Sequence, residues 1–222
     1  MASYTWSDAP RQTAFPIAAA GYPFIAAAAF VTAVFALLGM SIPALLGMGA
    51  TACICLFFRD PDRVIPNEDG AVVSPADGKV IVVEKVTDPR FYDGPCMKIS
   101  IFMSVLNVHV NRVPFGGNVT SVDYHPGKFL VASADKASDD NERNAITVET
   151  EAGKRYCVVQ IAGLIARRII SRLQTGDAVR RGQRFGLICF GSRLDLYLPP
   201  DFSPAVNVGD RVRSGSSVIG TL

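Results

Sequence analysis

"GDAVRRGQRFGLICFGSRLDLYLP" runs from Gly176 to Pro199. Its two apolar runs, "RFGLICFG" and "LDLYLP", are too short for helices. They are rich in aromatic and branched residues and punctuated by Gly and Pro, so both read as strands. The opening heptapeptide, Gly176 to Gly182, returns as "GDRVRSG" at Gly209 to Gly215 with five of seven positions identical, and an apolar strand follows each copy. Gly-Asp before Val, with a second Gly after three more residues, suits a hairpin that feeds the next strand. "SPADGKVIVVE" (Ser74 to Glu84) has the same turn-then-strand character. Further out, "AVVSP", "KVIVVEKV", "MKISIFMSV", "GNVTSVDYH", "NAITVETE" and "RYCVVQIAG" repeat the pattern of short β-branched runs between turn residues. Many short strands at this spacing predict a mainly β sandwich or barrel. One helix candidate stands among them, "LIARRIISRL" (Leu164 to Leu173), and its Ile content leaves it ambiguous.

The N-terminal quarter has a different texture. The chain has 222 residues, and none of its Asp, Glu, Lys or Arg residues lies in the 47 positions from Gln12 to Phe58. Two apolar segments, about 15–39 and 43–58, are joined at Ser41-Ile42-Pro43. A membrane-spanning helix needs about 20 apolar residues. The stretch therefore reads as a helical membrane hairpin, or as one span plus an interfacial helix. A cleaved signal peptide fits poorly, because the apolar region is too long and starts too late. Arg11 precedes the hairpin, and Arg59 and Arg63 come after it. The positive-inside rule puts both ends, and the remainder of the chain with them, on the cytoplasmic side of the cell (inner) membrane. "FFRDPDRVIPNEDG" then reads as a polar linker. The expected division is an anchor over 1–58 and a β-rich catalytic domain over 59–222.

Composition removes some function classes. A net charge of +2, with no basic run interleaved by aromatics, gives no sign of a nucleic-acid partner. Five cysteines with no CxxC pair read as small buried thiols in a reducing compartment. With two histidines in the whole chain, no metal site is expected.

Three polar residues sit in segments that otherwise read as core or tight turn: Asp77 in "SPADGKV", His109 in "LNVHVNRVP" and Ser192 in "FGSRLDLYLP". Each has a plain structural reading, as a turn aspartate, a half-buried histidine and a turn hydroxyl. Together, Asp, His and Ser are the residue types of an orienting or basic carboxylate, a general base and a nucleophile. No GxSxG surrounds Ser192, so a hydrolase nucleophile elbow is not supported.

Six motifs in order carry a resemblance over nearly the whole chain. They are "FFRDPDR", "SPADGKV", "FMSVLNVHVNRVP", "YHPGKF" followed by "NER", "QIAGLIARRI" and "FGSRLDLYLP". On these the chain resembles the pyruvoyl-dependent phosphatidylserine decarboxylases, in particular their short form. The hairpin repeat resembles turns of the flattened barrel-sandwich of biotinyl and lipoyl carrier domains, which is a likeness of fold alone.

The resemblance implies self-cleavage between Gly191 and Ser192. The Ser192 hydroxyl attacks the Gly191 carbonyl carbon, and elimination and hydrolysis leave a pyruvoyl group and ammonia. The products are a β chain, 1–191, and an α chain, 192–222. The covalent pyruvoyl cofactor, derived from Ser192, then forms a Schiff base with the amine of phosphatidylserine and takes up electrons as CO₂ leaves. Asp77 and His109 are implied as bases for the cut, and His109 as proton donor in decarboxylation. The implied partners are phosphatidylserine, the membrane and the two chains of one precursor, with a homodimer left open.

Two positions depart from the long form of the family. Its second histidine, three residues after the first, is replaced here by Arg112, so the division of labour cannot be copied directly. Arg193 stands where Thr is usual, as in the short form. Arg167 and Arg168 are candidates for the lipid phosphate, or equally a solvated basic face. His125 is a reserve base, and "ADKASDDN" before Glu142 reads as a loop over the site. Two alternatives stay open: the same chemistry on an ether lipid with a serine headgroup, and a non-catalytic membrane-tethered carrier or adaptor. A carrier needs an exposed hairpin lysine, for which Lys79 is the sole candidate.

Overall fold

The computed structural model describes residues 16–127, 141–163, 168–189 and 192–222, with residues 4–6 described by backbone alone. The chain divides into two compact units, Arg11–Asp62 and Met1–Pro10 together with Arg63–Leu222. A short strand β1 (Tyr4–Trp6) belongs to the second of these.

The smaller unit is a helical hairpin. Helix α1 (Tyr22–Leu37) has Pro in its first turn, where the missing N–H costs nothing. It ends before Gly39, whose φ of 73° lets the chain reverse into α2 (Ser41–Phe57). The helices approach closely at small residues: a Cβ on Gly47 would fall 2.5 Å from Thr32 Oγ1. Thr32 and Thr51 turn their hydroxyls back to the carbonyls of Ala28 and Gly47, each at 2.8 Å, so neither needs water. Phe30, Leu37 and Leu46 remain at least 70 % exposed. The helical stretch Ala19–Leu37 is long and apolar enough to cross a membrane, while α2 is shorter.

The larger unit is β throughout its described residues. Its strands are β2 (Val64–Pro66), β3 (Ala71–Val73), β4 (Gly78–Thr87), β5 (Pro95–Met103), β6 (Val110–Arg112), β7 (Gly117–His125), β8 (Arg143–Glu149) and β9 (Arg155–Ile161). They continue as β10 (Ile169–Ser171), β11 (Ala178–Val179), β12 (Arg184–Ile188), β13 (Ser192–Leu198), β14 (Ser203–Pro204), β15 (Arg211–Val212) and β16 (Val218–Thr221). Eight strands form an antiparallel sheet in the order β11-β7-β8-β9-β13-β5-β4-β15, which curves as a half-barrel. Two three-stranded sheets, β10-β12-β6 and β14-β16-β3, complete it, and β1 pairs with β2. Of the helix candidate Leu164–Leu173, residues 169–171 are strand β10 and residues 164–167 lie outside the described residues. The branched Ile169-Ile170 pair suits that pleated setting.

The heptapeptide repeat marks an internal pseudo-two-fold. The first copy holds β11 on one edge of the large sheet, and the second holds β15 on the other. Gly176 and Gly209 donate to the carbonyls of Val119 and Val80, both at 2.8 Å. Gly182 and Gly215 donate to those of Val113 and Ser74, at 2.7 and 2.8 Å. All four glycines have positive φ, between 75° and 106°, which is why glycine recurs at both ends of the motif. Asp177 and Asp210 each accept from a backbone N–H three residues earlier at 2.8 Å. The strand after each copy, β12 or β16, enters a three-stranded sheet. The symmetry pairs β4 with β7, β5 with β8 and β13 with β9.

Period-2 alternation sorts the large sheet's two faces. Ile146, Val148, Tyr156, Val158, Leu194, Leu196 and Leu198 face the main core. Ala145, Cys157, Val159, Ile161 and Tyr197 pack on the other face beneath Phe91.

Candidate active site

Ser192 is the first residue of β13, and its side chain is fully buried. The preceding strand, β12, belongs to a different sheet. The bond between residues 191 and 192 therefore lies where the chain crosses from one sheet to another. Phe190 and Gly191 themselves lie outside the described residues. The two strands expected here are thus β12 and β13, and Ser192 is not a turn hydroxyl: it begins an inner strand in register with Met103 of β5. Among the described residues, the group facing its hydroxyl is the Met103 thioether, with Oγ 4.0 Å from Sδ. A structural serine in a core normally has a strong acceptor.

The other two candidates connect to Ser192 through strand pairings: β6, after His109, pairs with β12, and β4, after Asp77, pairs with β5, the partner of β13. His109 is fully buried just before β6, and its carbonyl accepts the Ile188 N–H of β12 at 3.4 Å. Asp77 immediately precedes β4. In register, Lys79 of β4 lies opposite Phe102 of β5, and Phe102 lies opposite Arg193 of β13. Gly78 permits this closeness, because a Cβ there would meet the Phe102 carbonyl oxygen at 2.2 Å. The Asp77 carboxylate is held by Arg63 Nη2 (2.9 Å to Oδ2) and by the Ser214 N–H (2.7 Å to Oδ1).

Other sequence candidates separate from this cluster. His125 ends β7, which β8 and β9 separate from β13, and is exposed. Arg168 is exposed, and its carbonyl accepts the Cys189 N–H at 3.2 Å. Arg167 and the loop 128–140 lie outside the described residues. Lys79 lies within a paired strand and not at a hairpin tip, which removes the feature a carrier would need. Arg112, standing in for the family's second histidine, is buried and donates to the Gly182 carbonyl at 3.0 Å. It braces the first repeat turn.

Two buried polar arrangements beside Ser192 escaped the sequence reading. On the main-core side, Asn144 Nδ2 donates to Gln160 Oε1 (3.1 Å), Gln160 Nε2 to Asn111 Oδ1 (2.9 Å), and Asn111 Nδ2 faces Met103 Sδ (3.8 Å). On the opposite side, Arg193 grips Asp195 in a bidentate pair and donates to Ser100 Oγ at 3.0 Å, with Lys98 Nζ 3.6 Å from Asp195. Alternation could have found the amides. Asn144 shares a face with Ile146 and Val148, and Gln160 with Tyr156 and Val158, so both point inward where apolar residues belong.

Burial raises the Cys189 thiol pKa, only partly offset by Arg168. The Tyr197 phenol is pushed well above its ordinary value by burial and by the Asp195 charge. Among the described residues, no three His, Cys, Asp or Glu side chains converge to hold a metal ion. An open cavity of about 710 Å³ lies at the far end of the large sheet, lined by Gly116, Gly117, Arg180 and Arg181 among others, and it contains none of the candidates.

Comparison with known proteins gives one family. Residues 50–220 match the phosphatidylserine decarboxylase family profile. A phosphatidylserine decarboxylase proenzyme from Syntrophotalea carbinolica is 52 % identical over 93 % of this chain and 97 % of its own length. Those of Syntrophus aciditrophicus and Desulfotalea psychrophila are 50 % and 47 % identical, covering 93 % and 95 % of this chain and 97 % and 99 % of theirs. A profile match over most of the chain, with relatives this similar end to end, places the buried Ser192 and its neighbours in a known lineage: the chain belongs to the phosphatidylserine decarboxylase family.

Proposed function

We propose that this chain is a self-processing proenzyme whose cut form decarboxylates phosphatidylserine to phosphatidylethanolamine, with Ser192 as precursor of its pyruvoyl cofactor. The observation that carries the reading is the place of Ser192: a buried hydroxyl at the start of an inner strand, directly after a crossing between sheets. The cut falls at the head of β13, which is held between β5 and β9.

The residues fit the processing chemistry. A serine hydroxyl is a weak nucleophile until a base takes its proton, and Asp77 and His109 supply the groups for that. Ser192 Oγ bonds to the Gly191 carbonyl carbon, the C–N bond breaks, and the Ser192 nitrogen takes a proton. The ester so formed is cut when the Ser192 α-proton is removed and the Gly191 carboxylate leaves. Hydrolysis of the remaining enamine releases ammonia and leaves the ketone on residue 192. The β chain is 1–191 and the α chain 192–222. Once formed, the pyruvoyl group supplies the electron sink for loss of CO₂ from an amino-acid headgroup. His109, buried beside β12, holds the proton that replaces CO₂. Arg167 and Arg168 offer charge to the lipid phosphate.

The anchor, 1–58, holds the catalytic region, 59–222, at the cytoplasmic face of the inner membrane, where a lipid substrate is presented in two dimensions. The support is the apolar Ala19–Leu37 helix and the flanking arginines. The internal symmetry of the β unit supports a barrel-sandwich of biotinyl/lipoyl type.

Intact-mass analysis of wild-type protein beside Ser192→Ala is the test. Two chains from the wild type, the smaller beginning at residue 192 with a blocked, ketone-bearing terminus, and one whole chain from the variant support the reading. A folded wild type that stays whole overturns it. Vesicles with serine-headgroup lipids on ester or ether chains then define the substrate, and native mass of the cut protein reads whether a homodimer forms.

A further inference from the structure

We infer that the buried amides of Asn144, Gln160 and Asn111 form a one-way relay that positions a hydrogen-bond donor for the reaction at Ser192. The inference rests on the proposal that the chain cleaves itself at that residue. Asn144 comes from β8, Gln160 from β9 and Asn111 from β6, so the relay spans both sheets that the chain joins at residues 188–192. All three side chains are at most 3 % exposed.

Direction is the informative feature. Each amide oxygen in the middle of the chain accepts from the amide before it, and each NH₂ donates to the one after. With Asn111 Oδ1 occupied by Gln160, the Asn111 NH₂ must point onward, and there it meets the Met103 sulfur at 3.8 Å. The Ser192 hydroxyl rests on that same sulfur. A thioether is a weak acceptor. The fold thus commits three buried amides to delivering an N–H to a place where, among the described residues, it meets only a weak acceptor. Gly186 makes room for the relay, since a Cβ there would lie 2.9 Å from Gln160 Nε2.

A donor kept beside a nucleophile, with no strong resting acceptor, is the arrangement that stabilises charge appearing only during reaction. When Ser192 Oγ adds to the carbonyl carbon of the preceding residue, the π electrons move to the carbonyl oxygen. Asn111 Nδ2, which shares the Met103 sulfur with the Ser192 hydroxyl, is the donor we assign to that negative charge. Asn111 is the donor; Gln160 and Asn144 are positioning residues that act through it.

The test separates chemistry from architecture. Asn111→Leu removes the donor and leaves Gln160 Nε2 buried without its acceptor. The triple variant Asn111→Leu/Gln160→Met/Asn144→Leu removes both ends of both amide–amide bonds, so that no relay donor is left buried without its acceptor, a change that is often nearly neutral for folding. Processing is followed by intact-mass time course after cell-free synthesis, and stability by thermal melts of the same variants in the uncleavable Ser192→Ala chain. The expected result is processing slowed roughly 10²-fold in both variants, with the triple variant regaining thermal stability over the single one. Hydroxylamine, which cleaves esters, should release no chain from the slowed precursors, because the lost step precedes the ester. Processing that recovers together with stability, or a slowed precursor that hydroxylamine does cleave, overturns the inference. A wild type that stays whole in the same assay removes the self-cleavage reading itself, whereas a processed wild type with equally fast variants removes only the relay.

Discussion

Arg63 and Asp77 meet at 2.9 Å across fourteen residues of chain, and the Ser214 amide takes the other carboxylate oxygen at 2.7 Å. The proposed base is thus also a clasp joining the start of the β unit, the turn before β4 and the second repeat. Asp77→Ala is expected to leave the precursor whole by intact mass. It also strands the Ser214 N–H and a largely buried guanidinium, at a cost of roughly 1–3 kcal/mol. Urea denaturation in the Ser192→Ala background checks the second part. No change in midpoint there would show that the clasp adds nothing to folding.

Arg193 and Asp195 form a fully buried bidentate pair, with Nε to Oδ1 at 2.6 Å and Nη2 to Oδ2 at 3.0 Å. Removing one partner leaves the other charge buried, so Asp195→Asn is expected to cost about 3–5 kcal/mol. Arg193→Met combined with Asp195→Leu should cost much less than either single change. Guanidinium titration of the four uncleavable proteins closes the cycle, and equal losses for single and double variants would contradict it.

Thiol chemistry should sort the cysteines. Burial pushes Cys157 up to about 12 and raises Cys96 and Cys189 above the ordinary thiol value. At pH 8 these stay protonated, and a protonated thiol is a poor nucleophile. In detergent-solubilised native protein a small, membrane-permeant alkylator is expected to reach Cys53, on the outer surface of α2, first. Cys157 should react only after denaturation, as peptide mass mapping would show.

Acid should release one loop before the core. Hydrogen bonding and charge from Arg90 hold the Asp88 carboxyl below its usual value, against the opposing effect of burial. A depressed folded pKa means that the stabilisation is fully present above the unfolded value, about 3.9, and is lost as pH falls through the lower folded one. The loop starting at Asp88 carries Phe91 onto Tyr197. The melting difference between wild type and Asp88→Asn is expected to be positive at pH 7 and to shrink toward pH 3. A difference independent of pH would show that the carboxylate charge is not its source.

Much of this architecture is legible in the primary structure because strands and turns announce themselves locally. The repeat's paired glycines encode positive φ directly, and alternation in "NAITVETE" and "RYCVVQIAG" marks the faces of β8 and β9. The site is legible only in part. Ser192 stands out as a polar residue among strand formers, yet its crossing between sheets depends on pairings over 80 residues apart, such as Ser192 with Met103. The amide relay is hidden for the same reason. Alternation turns Asn144 and Gln160 inward one by one, but their connection to each other and to Asn111 exists only once three separate segments are brought together. Arg112 shows the converse. Its motif position suggests chemistry, and tertiary packing gives it a backbone carbonyl to brace.

The internal pseudo-two-fold sets the Asp77 turn beside a counterpart that lacks the carboxylate. Pro75-Ala76-Asp77-Gly78 and Pro114-Phe115-Gly116-Gly117 are corresponding turns, each leading into a long strand whose first glycine presses on a neighbouring carbonyl. One copy carries a carboxylate, and the other makes the same turn with glycine. The symmetric fold therefore carries its own comparison: one half closes this turn with glycine at 116, and the other places there, at 77, a carboxylate that takes Arg63 and the Ser214 amide.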